Sequence, residues 1–268
     1  RLAGELEVSG RLETDFVDVS SGQLVLDFGT LAGAEVAAGE GDVLLVNGGT
    51  LDDVTLLGDA RVDSSALATG SLDIDGTLTI GSDGGRFSDQ LRLSLIDEIV
   101  GDGQIVLSGL DGSSLRFDSS ADDSNRLVVG EGVEISGAGT VTTSGALTRL
   151  TINSGVTADG GRLTLSNIDN AGGVLSVDEV RGGDIRLGGA LENTVLSVAD
   201  GAIVDVVSRI ADVTVSGAGA ARFATNQVAG LTVAEGGTVL IGDEANVFND
   251  TLSVQSALVV DGTLRLEG

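Results

Sequence analysis

Leu72-Asp73-Ile74-Asp75-Gly76-Thr77-Leu78-Thr79-Ile80 is the stretch on which the fold turns. Aliphatic residues alternate with Asp or Thr on either side of a glycine, so two short strands of period two meet at a stop. The phrase recurs in Leu6-Glu7-Val8-Ser9-Gly10-Arg11-Leu12, in Val133-Glu134-Ile135-Ser136-Gly137, in Val213-Thr214-Val215-Ser216-Gly217 and in Leu258-Val259-Val260-Asp261-Gly262-Thr263-Leu264-Arg265-Leu266. One strand-turn-strand unit repeated along a chain is the signature of a stacked architecture, in which each unit buries its apolar face against its neighbours.

Helix is the competing reading of aliphatic-rich sequence, but glycine interrupts almost every window and β-branched residues fill the runs between. Leu91-Arg92-Leu93-Ser94-Leu95-Ile96-Asp97-Glu98-Ile99-Val100 is the one segment long enough for a short helix, and its opening alternation reads better as a strand. Turn phrases such as Asn153-Ser154-Gly155, Asn170-Ala171-Gly172-Gly173 and Arg181-Gly182-Gly183 recur irregularly at roughly twenty residues or less, about one coil of a β-helix. The expectation is an all-β chain with essentially no helix, a parallel β-helix (β-solenoid) running as one continuous segment over 1–268. It is expected to be part of a longer chain or a filament. An array of antiparallel β-sandwiches is the alternative. Against it, proline is absent, Asn47-Gly48 is the one clear tight hairpin signal, and aromatics to fill a wide core are scarce.

Composition narrows the class further. The 268 residues include no Pro, Cys, Met, Trp, Tyr or His; all 14 basic residues are Arg; Gly appears 42 times. Six Phe supply all of the 2% aromatic content, so the core must be built of Val, Leu, Ile and Ala, which suit a long, thin interior of layers. Disorder is common in Gly-rich acidic chains, but 41% hydrophobic residues in short alternating runs supply the apolar surface that folding needs. No run approaches the roughly 18 apolar residues that cross a bilayer, so no membrane insertion of this segment is expected. The first residues, Arg1-Leu2-Ala3-Gly4-Glu5, lack a signal-peptide core and an initiator Met, as expected of a processed or excised chain.

A formal net charge of -27, from 41 acidic residues against 14 Arg, makes nucleic acid an improbable partner and cations the natural counterions. Zero cysteines exclude disulfides and thiolate metal sites, which is compatible with a secreted surface protein stabilised by repetition.

The stretch from Val133 to Val215 resembles the β-strand repeats of large bacterial adhesins and autotransporter passengers. The likeness lies in Ile135-Ser136-Gly137-Ala138-Gly139-Thr140-Val141, Leu150-Thr151-Ile152-Asn153-Ser154-Gly155, Gly160-Gly161-Arg162-Leu163-Thr164-Leu165 and Asn170-Ala171-Gly172-Gly173-Val174-Leu175. It is weaker before Ile105. The resemblance implies a right-handed parallel β-helix displayed at an outer-membrane-associated cell surface. It also implies a structural, non-catalytic role in an adhesin, filament or matrix protein. Host or matrix glycans are expected partners, together with end-to-end self-association or continuation of the same chain.

Chemistry is restricted by the same inventory. Without His, Cys, Lys or Tyr, a catalyst would have to work with carboxylates, Ser, Thr and Arg. Asp73 and Asp75 alternate in one run, which places them on one face about 6.5 to 7 Å apart if the strand continues through both, a separation a carboxylate-pair glycan hydrolase could use. A β-helical polysaccharide-degrading enzyme is therefore the alternative function, although no Trp or Tyr is present to stack on a sugar. For metals, the acidic insert beginning Asp111-Gly112-Ser113-Ser114 and continuing through Asp118, Asp122, Asp123 and Asn125 offers oxygen ligands of the kind Ca²⁺ takes, as a Ca-binding surface-layer component would. It matches neither an EF-hand loop nor the glycine-rich nonapeptide of calcium β-rolls. Calcium, if bound, is expected weakly and at several places. The Thr pairs at Thr77, Thr79, Thr140 and Thr142 lack the fixed period of an ice-binding array, and the sequon Asn249-Asp250-Thr251 is of a kind common by chance.

Overall fold

The computed structural model describes residues 3–19, 21–38, 44–81, 89–108, 112–120, 125–145, 148–170, 173–207, 209–224, 227–242 and 252–266. Among them every regular element is a strand, and the strands stack in parallel as a β-solenoid of about 11 turns. The antiparallel sandwich is overturned, since the ladders between described strands are parallel from Ala3–Val8 on Ser21–Asp27 to Thr238–Ile241 on Thr263–Leu266. Parallel pairing between sequence neighbours requires the chain to travel round the coil before it returns.

Each turn has three faces, begun by Ala3–Val8, Arg11–Glu13 and Phe16–Asp18. On the first face Leu24, Leu44, Ala60, Leu78, Ile105, Ile135, Val156 and Val177 stand partner on partner. Leu163, Ile185, Val204, Ala221 and Val239 do the same on the second face, and Leu72, Ile99, Val129 and Ile152 on the third. All are buried, so the aliphatic alternation read from the sequence becomes ladders running along the coil axis. Turn length varies: Leu44 and its partner Ala60 are 16 residues apart, Ile105 and its partner Ile135 are 30 apart. At about 4.8 Å per layer, 11 turns make a rod of about 50 Å.

Corners decide where one face ends. Leu91–Val100 is not a helix: strands Gln90–Ser94 and Glu98–Val100 flank Leu95, whose φ of 60° turns the chain from the second face to the third. Other corners use Asx residues, which tolerate left-handed backbone because the short polar side chain can bond locally. Asp53 (φ 55°), Asn167 (φ 60°) and Asp212 (φ 56°) each lie under a glycine of the next turn, at Gly70, Gly189 and Gly230, where a β-carbon would strike the Asx side-chain oxygen. Asp53 Oδ1 accepts hydrogen bonds from the Ser71 backbone N–H at 2.9 Å and hydroxyl at 3.2 Å; Asn167 Oδ1 accepts one from Ala190 N–H at 3.4 Å. The corner carboxylate or amide thus closes the turn above it.

On the third face the regular ladder lapses after the single bridge Leu150↔Ile168, and a side chain takes over. Asn170, only 5% exposed, accepts from Ile152 N–H at 3.2 Å and donates Nδ2 to Ile152 C=O at 2.7 Å. Its amide stands in for a strand, satisfying both backbone groups of a residue that has no exposure of its own.

Candidate functional site

Asp73, at the corner where the third face meets the first, has its carboxyl pushed above its ordinary range. Strand Ser65–Ile74 ends one residue before Asp75, so the two acids do not alternate along one strand as expected. Asp73 remains in the ladder opposite Thr55 and Val100 and is partly buried. Asp75 has turned out into the corner and is exposed. The turn is imposed by the layer below, where Leu56 C=O accepts from both Asp75 N–H at 2.8 Å and Gly76 N–H at 3.0 Å.

A third acid joins from the next turn. Asp102 donates its backbone N–H to Asp75 Oδ1 at 3.1 Å, and Gly103 of Asp102-Gly103 packs directly over Gly76 of Asp75-Gly76. Burial pushes the Asp73 carboxyl up, and the negative charges of Asp75 and Asp102 push it the same way. Asp73 Oδ1 is out of contact with water and has no hydrogen-bond partner in the structure. Sequence reasoning missed Asp102, although the repeated Asp-Gly phrase, 27 residues on, was a usable signal. Chemically the corner offers one carboxyl that holds its proton more readily than usual beside two further acids, and Asp75 is already committed to capping a turn.

The charge on Asp73 opposes folding wherever it is ionised in the folded chain. A carboxyl raised in the folded state stabilises the fold progressively as pH falls through its folded pKa toward the ordinary carboxylate value, and withdraws that contribution as pH rises. Asp73→Asn, which keeps the shape without the charge, should raise the melting temperature at pH 7, with the gap from the parent chain closing at acid pH. A thermal-melt series in pH checks this; a variant less stable than its parent at pH 7 would contradict it.

No family model, curated protein or solved structure matches the chain. Its chemistry must therefore be judged from its own side chains.

Of the four residues expected to hold calcium, Asp111, Asp122 and Asp123 lie outside the described residues, as does the sequon at 249–251. Asp118 is described. Its Oδ2 takes hydrogen bonds from Arg92, through Nε at 2.8 Å and through an Nη, and its Oδ1 takes one from Arg116 Nε at 2.9 Å. Arg92 and Arg116 are ladder partners on neighbouring turns, and two guanidinium groups side by side repel unless an anion sits between them. Asp118 fills that place, so both of its oxygens face cations of the protein itself. Asn125 is engaged locally, its backbone N–H donating to Ser120 Oγ at 2.9 Å. Among the described residues no group of three or more His, Cys, Asp or Glu is arranged to hold a metal ion.

Other arginines work in the same way. Arg162 pairs with Asp184 at 2.6 Å, Arg126 with Asp169 at 3.5 Å and Arg222 with Asp205 at 3.4 Å, each across turns. Such exposed and half-exposed pairs contribute little singly, but they hold like charges apart on a chain of net charge -27.

Proposed function

We propose that this chain is a structural segment of an extracellular bacterial surface protein: a rigid acidic rod that spaces or displays binding surfaces, with no catalytic role. The reading rests on one observation. The three aliphatic ladders run along the coil with small polar or charged side chains on the outside, and ionisable groups such as Asp75 and Asp118 are used to hold turns. An element whose polar side chains are spent on its own layers is suited to stiffness and display, with weak recognition of glycans spread over its faces. The dense negative charge keeps such rods apart from one another laterally.

Antibodies raised against the chain should label intact cells that make it as strongly as permeabilised cells. Labelling that requires permeabilisation would overturn the extracellular assignment. The competing reading, cleavage of acidic polysaccharides by carboxylates, has Asp73 as its candidate for a proton-holding acid. Incubation with a panel of acidic polysaccharides should release no new reducing ends from either the parent chain or Asp73→Asn. Turnover that disappears in Asp73→Asn would replace the structural reading by an enzymatic one.

A further inference from the structure

On one stretch of the second face arginine outnumbers acid, and we propose that this strip docks a linear glycan whose carboxylates are separated by neutral sugars. The inference rests on the structural reading above and gives its glycan recognition one face and one chemistry. The strip climbs layer by layer from strand Gln90–Ser94 through Ser114–Ser119, Glu134–Thr143 and Gly155–Ser166 to Asp184–Gly188. Alternation with buried apolar residues turns Arg92, Arg116, Arg162 and Arg186 outward, and the acids among them are Asp118 and Asp184. On a chain with 41 acidic residues against 14 Arg, a surplus of arginine is a local reversal of sign. Such a strip attracts an anion at short range while the rest of the rod repels it. The occupant must therefore be sparsely charged.

The arginines keep donors for it. Asp118 takes Nε and one Nη of Arg92 but only Nε of Arg116. Both side chains stay open to water, at 50% and 41% exposure, so the two Nη groups of Arg116 are available on the outer side. Among the described residues Arg186 has neither an acid nor a hydrogen-bond partner, and the ladder partner above it, Asp205, is paired with Arg222 at 3.4 Å. A guanidinium with unused N–H groups presents a planar fork that matches a carboxylate.

The order of the layers selects the kind of polymer. Arg92 and Arg116 lie on adjacent layers, as do the layers that carry Arg162 and Arg186. Between these pairs runs a layer without outward charge, where Thr140 stands over Ser114 and under Thr164, and Thr142 stands over Arg116. At about 4.8 Å per layer the two arginine pairs are centred about 14 Å apart. A nucleic acid, with a phosphate on every unit, would set anions over the threonines and meet the repulsion of the whole rod. Neutral sugars offer hydroxyls to the Thr and Ser hydroxyls in that gap, and carboxylates on either side of them reach the arginines.

The test is calorimetric titration of the chain at low salt with hyaluronan oligosaccharides, whose carboxylates alternate with neutral N-acetylated sugars, and in parallel with dextran and single-stranded DNA. Hyaluronan should bind, more weakly as salt rises, and about tenfold or more tighter than either of the others. Arg186→Gln, which has no partner to lose, should weaken that binding by about threefold to tenfold, and Arg92→Gln/Arg116→Gln by about tenfold or more. Arg209→Gln removes the same charge from the exposed end of third-face strand Arg209–Ala211 and should leave binding unchanged. Circular-dichroism melts control for folding of the double variant, and Arg186→Gln decides the matter if that variant does not fold. A parent chain that ignores hyaluronan at low salt overturns the proposal and leaves the structural rod standing, since labelling of intact cells decides that reading separately. Equal losses in Arg186→Gln and Arg209→Gln overturn the assignment to the second face. Dextran or DNA bound as tightly as hyaluronan overturns the chemistry.

Discussion

Alanine at position 183 should destabilise this fold by about 3 kcal/mol, whereas alanine at position 10, where a β-carbon would meet nothing within 4 Å, should cost less than about 0.5 kcal/mol. Gly183 turns the chain from strand Val174–Arg181 into Asp184–Gly188 with no positive φ, so strain in the left-handed region plays no part. What forbids a side chain is the layer below. A β-carbon at 183 would lie 2.7 Å from the carbonyl carbon of Gly161 and 3.0 Å from its nitrogen, with the carbonyl oxygen closer still. Gly161 cannot retreat, because its own β-carbon direction is stopped at 2.8 Å by the Ala138 side chain. The ladder from Arg162↔Asp184 to Ser166↔Gly188 pins the two layers together immediately beyond the corner. Overpacking against backbone is relieved only by moving backbone, hence the upper end of the usual range. Gly182, next door, needs glycine for a different reason: its φ is +65° with open space around it, so Gly182→Ala should cost about 1 kcal/mol of left-handed strain. Urea denaturation of the three variants checks the order. Equal losses at 183 and 10 would show that the layers yield more readily than the packing implies.

Asn170→Ala should cost about 2 to 4 kcal/mol, because it strips partners from two buried backbone groups at once. Each unsatisfied buried donor or acceptor costs about 1 to 3 kcal/mol, and Ile152 N–H and C=O both rely on this amide, at 3.2 and 2.7 Å. Asn170→Asp should be at least as damaging at pH 7, since a carboxylate can accept from Ile152 N–H but only repel its carbonyl, in a site 5% exposed. Acid should partly rescue that variant, as a protonated carboxyl again offers one donor and one acceptor. In a stacked coil each layer depends chiefly on its neighbours, so the loss can emerge as local opening before global unfolding. Hydrogen exchange at the Ile152 amide is therefore the sensitive readout: it should accelerate in Asn170→Ala while amides near Leu24 and Leu44 stay protected. Unchanged exchange at Ile152 would mean that water or another group replaces the amide.

Strand type, inward residues and stops are legible in the chain itself, because period-two alternation is a local property: Leu72-Asp73-Ile74 already places Leu72 and Ile74 inside. Scarce aromatics likewise determine a thin aliphatic core, into which only Phe117 and Phe223 are fully admitted among the described phenylalanines. Alternation cannot say where a strand bends. Leu95 interrupts the run 91–100, and Asp75 leaves the face of Asp73, because the backbone turns at positions set by the turn beneath. Nor can it say which turn lies on which, since turns of 16 and 30 residues stack equally well once their corners align. That register alone brings Asp102 to Asp75, sets Asp118 between Arg92 and Arg116, and carries the amide of Asn170 across to Ile152. Local alternation sets which side chains point inward; the stacking of distant turns sets which polar groups meet, because those meetings depend on register along the coil axis and not on neighbours along the chain.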